Sequence, residues 1–258
     1  MQILYPSHPL ERHLPDPAFE SEFLAARDLG FDLSTFSFAD FESGEFRSRP
    51  PITSERAILY RGWMLKAESY ASLYQAVAGN GARMMTSLKE YLHCHYLPEW
   101  YQKCIEFTPK TIFVDPKSDY SGELKSTEWE AWFVKDHVKS LTTKRGSVAR
   151  SVEEVREIAD LIERFRGQIE GGLCIREFEE LRQDSEERYF VFNKRPFARE
   201  GDVPSIVHKI AERIDSPFYS VDIAIDSNGA HRLIELGDGQ VSDRKNWPAD
   251  RFMEVFRN

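Results

Sequence analysis

The sequence predicts an α/β unit at the N-terminus followed by a larger α+β unit. Three observations carry this reading. Strand-like and helix-like runs alternate over residues 1–86, the pattern of a parallel sheet with crossover helices. A single amphipathic helix, "SVEEVREIADLIERFRG" (151–167), marks the middle. The last third is rich in strand-like runs and ends in "FYSVDIAIDSNGAHRLIELGDG" (218–239).

Each element has its local reason. "QILYP" is a first strand, and "DPAFESEFLAARDLG" is a helix opened by an Asp-Pro cap and closed by Gly30. "AILYRGWML" is a strand, "KAESYASLYQAVAGNG" a helix ended by glycines, and "ARMMTS" a short strand. "SLKEYLHCHYLPEWYQKCI" is helical but interrupted at Pro98, because proline lacks the N–H the helix needs. "KTIFV" and "EAWFVKDHV" are strands, followed by the polar loop "SLTTKRGSVARS". The 151–167 helix carries Val, Ile, Leu and Phe at helical spacing behind a Ser cap. "GGLCIREFEEL" and "ERYFVFNKRPFA" are strands, and "DVPSIVHKIAERI" is an amphipathic helix.

Composition narrows the function classes. A chain of 258 residues can bury a substantial core, as one large or two small domains. Its net charge of −9 argues against nucleic acid or an anionic membrane as partner. Cys94, Cys104 and Cys174 fit neither a disulfide framework nor a zinc pattern, which points to a reducing, cytoplasmic setting. The N-terminus has no basic region followed by a long apolar run, so no signal peptide is expected, and no apolar stretch approaches a membrane span.

The last hairpin raises the first chemical question. With Asn228-Gly229 as a two-residue turn, outward counting pairs Ser227 with Ala230 and puts Asp222 opposite Glu235. Val221, Ile223, Ile225, Ile234 and Leu236 then share the core face. Two opposed carboxylates repel unless a cation lies between them, and Mg²⁺ accepts one or two carboxylates plus phosphates. Asp238, just past the strand, can reach the same ion. The same acids can equally face water on an exposed hairpin.

Lys135 sits in the apolar strand "WFVKDHV", where an ammonium needs an anion. The hydroxyl, glycine and basic residues of the following loop suit a phosphate cover. A snorkelling lysine before an ordinary loop is the plain alternative. Arg188 opens a strand, and the acids of "REFEELRQDSEER" can hold a ribose or form a solvated face. Arg61 in "LYRGWML" is either a substrate contact or a surface arginine.

In order, "SLKEYL", "TPKT", "FVKD", the polar loop, the helix, "CIREFEEL", "RYFVFN", "SVDIA" and "LIELGDGQVS" resemble the ATP-grasp superfamily over most of the chain. The resemblance is greatest to a bacterial and phage clade ending in the "SVDIA" and "IELGDGQVS" pair. It implies a pre-ATP-grasp domain at 1–86 and an ATP-grasp domain at 87–258, with subdomains at about 87–171 and 172–258 gripping ATP. It implies nucleotide contacts from Lys89, Lys135, Arg176, Glu177, Phe178, Glu179 and Glu180, with Glu177 at the adenine and Glu179 or Glu180 at the ribose. The 141–149 loop would cover the phosphates. Lys135 and Arg188 would serve the transferred phosphate, and Asp222, Glu235 and Asp238 would hold Mg²⁺. Many members have asparagine where this chain has Gly237, so Asp238 or Gln240 would supply the third ligand. The implied activity is a cytoplasmic ATP-dependent carboxylate–amine ligase working through an acyl phosphate on a small molecule or peptide. A non-catalytic ATP-binding module and a kinase-like phosphoryl transfer are the alternatives.

Overall fold

The computed structural model describes residues 1–52, 56–141 and 143–257. The first sheet contains β1 (Gln2–Pro6), β2 (Asp32–Phe36), β3 (Ser48–Arg49), β4 (Ala57–Tyr60) and β5 (Arg83–Met84) in the order β3-β2-β1-β4-β5. β1 runs parallel to β2 and β4, and β4 parallel to β5, while β3 is an antiparallel edge. β2 is absent from the sequence reading because "DLSTF" carries two hydroxyl residues. Ser34 and Thr35 are nevertheless buried, and their hydroxyls are satisfied by Gln2, Pro50, Arg12 and Arg49.

The second sheet contains β6 (Thr111–Val114), β7 (Trp132–Asp136), β8 (Val148–Ala149) and β9 (Leu173–Glu177) in the order β6-β9-β7-β8. Its strand pairings are all antiparallel. The helix Val152–Arg166 packs Val155, Ile158, Ala159 and Ile162 against Val134, Leu173 and Ile175. Ser151 caps it by accepting the Glu154 N–H at 3.2 Å, and Gly167 ends it in the left-handed region at φ 77°. The third sheet contains β10 (Glu187–Phe192), β11 (Arg195–Phe197), β12 (Phe218–Ile225) and β13 (His231–Asp238) in the order β11-β10-β12-β13.

Two compact units result, and they are not consecutive in sequence. One comprises residues 1–94, 188–221 and 237–258; the other comprises 95–187 and 222–236. Contact boundaries therefore do not follow the linear divisions at 86 and 171. β12 and β13 each run from one unit into the other, so residues distant in the chain share a core. In the first unit, Ile3, Tyr5, Leu59, Phe190, Phe218 and Phe252 form one cluster. The helical region around Pro98 is two helices, Leu88–His95 and Leu97–Cys104, with the proline in the first turn of the second.

Candidate active site

The final hairpin departs from the count on Asn228-Gly229. The Asp226 N–H bonds to Ala230 O at 2.9 Å and the Gly229 N–H to Asp226 O at 3.0 Å. Ser227, Asn228 and Gly229 thus form a three-residue loop, with Gly229 at φ 89° as its left-handed residue. Asp226 Oδ1 stabilises it by accepting the N–H groups of Asn228 and Ala230. At the far end the Gly239 N–H bonds to Phe218 O, which is one residue out of step with the loop. β13 therefore carries an extra residue between these bonds. Leu233 and Leu236 are both buried although three apart, so the bulge lies between them, at Ile234 and Glu235. Counting inward from the Phe218–Gly239 bond still sets Asp222 opposite Glu235. The core face is corrected: Leu233 is buried in it, while Ile234 is half-buried and lines a cavity.

Within the second unit, Glu235 meets Lys135. The Lys135 Nζ donates to Glu235 Oε1 at 2.7 Å and to Val138 O at 3.3 Å. The Lys135 side chain is 4% exposed and that of Glu235 32%. Asp136 sets up this arrangement. Its fully buried carboxylate accepts the N–H groups of Val138 and Lys139 and pairs with Arg166, which fixes the turn after β7 and brings Val138 O under the lysine. Burial, aided by Lys139 and Lys135 and opposed by Glu235, pushes His95 down to about 4. The imidazole is thus neutral at physiological pH, leaving the two lysines as the local cations.

Beside this pair is an apolar cavity of about 290 Å³, lined by Phe133, Val148, Ile234 and the run from Arg176 to Leu181. Arg176 anchors its wall: its guanidinium donates to Ile234 O at 2.9 Å and to Thr108 Oγ1 at 2.6 Å. Burial holds its pKa below the ordinary arginine value, against the pull of Glu235. Glu177 ends β9, and its carboxylate lies 3.5 Å from Lys110. Phe178 is 38% exposed at the cavity. Glu179 is engaged by Arg232 in two bonds of 2.7 and 2.6 Å, whereas the exposed Glu180 side chain has no such partner among the described residues. Of the expected phosphate-covering loop, Thr142 lies outside the described residues. In its described part, Leu141 and Ser147 are held together by the Leu141 N–H on Ser147 Oγ, and Arg145 is bonded to Val148 O.

The other expected site residues lie in the first unit. Lys89 is exposed on the helix Leu88–His95. Arg188 donates to Asp243 O at 2.7 Å. Asp238 is fully buried: Oδ1 accepts from the Gln240 N–H and side-chain amide, while Oδ2 has no hydrogen-bond partner. Burial pushes it up to about 7. Gln240 is equally enclosed, bonded to Tyr60 N–H and Tyr70 Oη. Gly237 has a packing reason. A Cβ there would fall 2.8 Å from Ser242 Oγ and 2.9 Å from Ser220 Oγ, two hydroxyls already in contact.

Arg61 is neither a surface arginine nor a free substrate contact. It is 2% exposed and pairs with Glu22 through two bonds of 2.7 and 2.9 Å. Its other terminal nitrogen donates to the carbonyls of Gly239, Gln240 and Ser242. Glu22 was missed because it sits in a charged helical run that reads as solvated. The exposed aromatic Trp63 beside Arg61 was the available signal for a cavity there.

Residues 117–255, more than half of the chain, match the family model "ATP-grasp domain, R(2)K clade family 3". No curated protein matches the chain in sequence. Among solved structures, D-cycloserine synthetase DcsG is similar with a TM-score of 0.64 at 15% identity, covering 99% of this chain and 98% of that one. D-alanyl-alanine synthetase A from Vibrio cholerae O1 biovar eltor has a TM-score of 0.63 at 10% identity, covering 100% and 96%. An ATP-grasp RimK domain protein from Sphaerobacter thermophilus has a TM-score of 0.62 at 11% identity and covers both chains fully. At such identities the likeness is one of fold, and it extends over the whole chain. Together with the family match it identifies the fold as ATP-grasp, and the chain belongs to that ATP-grasp domain family.

Proposed function

We propose that this chain is an ATP-dependent ligase joining a carboxylate to an amine. The observation that carries the reading is the apolar cavity at the end of β9, next to the Lys135–Glu235 pair. An adenine ring suits apolar walls with a few polar groups at the edge. Glu177 would meet the adenine edge. Glu180 is favoured over Glu179 for the ribose, because Arg232 already occupies Glu179.

The residues also fit Mg²⁺. Among the described residues, no three His, Cys, Asp or Glu side chains gather into a protein cage. Mg²⁺ does not need one, since one or two carboxylates and the substrate's phosphates complete its shell. Asp222 and Glu235, hard oxygen donors opposed across two strands, would hold it. When bound, it would neutralise charge on the nucleotide phosphates. Asp238 is a weaker candidate, being enclosed with Gln240.

The substrate carboxylate attacks the γ-phosphorus of ATP, and the bond to the β,γ-bridging oxygen breaks to give an acyl phosphate and ADP. An amine then displaces phosphate from the acyl carbon, and its proton leaves to solvent. Lys135 holds phosphate oxygens, and its ammonium is presented by the turn that Asp136 fixes. The proposed role of Arg188 is to brace the transferred phosphate, and that of Lys89 to hold a second phosphate. Positioning and charge compensation carry such transfers.

The test is ADP release with a panel of acids and amines, comparing the native chain with Glu235→Ala. A fall of at least a hundredfold in the variant is expected. Equal turnover would sink the metal-site assignment. Mg·ATP binding with no ADP formed across the panel would instead support a non-catalytic module, and a stable phosphorylated product a kinase-like transfer.

A further inference from the structure

The first unit contains a second cavity, of about 310 Å³, which the nucleotide reading does not use. That volume is near the lower end of small-molecule pockets, roughly 300 to 1,000 Å³. One wall is apolar. Phe19 and Trp63 meet edge to face at 5.0 Å, and Met64 lies beside them. Trp63 and Met64 are 44% and 37% exposed, a large amount of apolar surface open to water. The opposite wall holds charge. Arg61 and Arg244 both address one buried carboxylate, Glu22, whose side chain is 3% exposed.

The charge balance there favours an anion. Two guanidiniums share Glu22, leaving one positive charge without an adjacent carboxylate counterion. Asp238, the other acid acting on Arg61, is pushed up to about 7 by burial and offsets this only in part. Asp243 also lines the cavity but is exposed, with Oδ1 accepting the Lys245 N–H, so solvent screens it. Arg61 is fully engaged, whereas Arg244 has donors to spare. A guanidinium carries five N–H groups. Those of Arg244 meet Glu22, Trp247 O and Ser21 Oγ, which leaves N–H capacity for a carboxylate oxygen. Asp243 O accepts from Arg188, so the cavity adjoins the arginine proposed above to brace the transferred phosphate.

We propose that this cavity binds a small carboxylate with an apolar or aromatic body, the carboxylate on Arg244 and the body against Trp63, Phe19 and Met64. Its source is a free amino acid or the C-terminal residue of a peptide, which share this chemistry. As a substrate subsite the cavity rests on the ligase reading; as a binding site it does not.

The test is calorimetry on the full chain with Mg·ADP present. The probes are N-acetylphenylalanine, its amide, and a tripeptide ending in phenylalanine with a free or an amidated C-terminus. A free carboxylate should bind at least tenfold more tightly than its amide. Trp63→Ala should weaken that binding at least tenfold, with its melting temperature and ADP affinity unchanged. Binding of the single residue alone, or of the tripeptide, supports the proposal and identifies the source. Equal affinity for acid and amide, an unchanged Trp63→Ala, or binding by no acid at millimolar concentration would overturn it. Parallel ADP release separates the two readings. Acid binding without ADP formation defeats the ligase reading and leaves the cavity site standing. Turnover with the same KM in Trp63→Ala defeats the cavity site and leaves the ligase.

Discussion

Removing Glu235 should destabilise the second unit through the lysine it leaves behind. The Lys135 side chain is 4% exposed, and beyond Glu235 its ammonium has Val138 O at 3.3 Å. Breaking a fully buried pair from one side costs about 3–5 kcal/mol, because the remaining charge stays desolvated. Glu235 is 32% exposed, so water entering its place recovers part of that. For Glu235→Ala we expect a loss of about 1–3 kcal/mol. Lys135→Met should cost less, about 1 kcal/mol or below, since the surviving carboxylate reaches solvent. The double variant should then be about as stable as Lys135→Met alone, with a coupling of about 1–2 kcal/mol. The assay is the urea midpoint of all four proteins, at constant slope. Additive losses in the double variant would refute the reasoning, because they would mean that Glu235 does not hold the lysine's charge.

Two further outcomes follow from the first unit. Arg61→Met should cost about 3–5 kcal/mol, since it leaves the Glu22 carboxylate buried and frees three loop carbonyls of their donor. Arg61→Lys should recover little of this, because an ammonium cannot reproduce the planar fork, and denaturant melts of the three proteins would check both. Asp238 binds its proton more tightly folded than unfolded, with a folded value of about 7. Stability should therefore fall as pH rises from about 4, the unfolded value, towards 7 and level off above it, by up to about 4 kcal/mol. Asp238→Asn should flatten that window, as read from melting temperatures between pH 5 and pH 8, and an unchanged slope would count against the burial argument.

Legibility in the sequence varied with how local each cause was. The helix 151–167 was readable because its cap, apolar stripe and terminal glycine are all within one segment. β2 was not, because Ser34 and Thr35 look polar until partners from elsewhere satisfy their hydroxyls. The hairpin was half legible. Asn-Gly marked the turn, but the Asp226 side chain that selects a three-residue loop, and the bulge in β13, lay outside a two-residue count.

The sequence by itself determined the order of elements, the ATP-grasp resemblance and the presence of an acid on each strand of the last hairpin. These depend on periodicity and on motifs a few residues long. Tertiary structure alone decided which charges meet. Glu235 finds Lys135, a hundred residues away, and Glu179 finds Arg232. Arg61 turns inward onto Glu22 and the 239–242 carbonyls. The physical reason is that a charge in a folded chain must be solvated or paired, and its partner is set by which strands become neighbours. A linear sequence records the charge but not the neighbour.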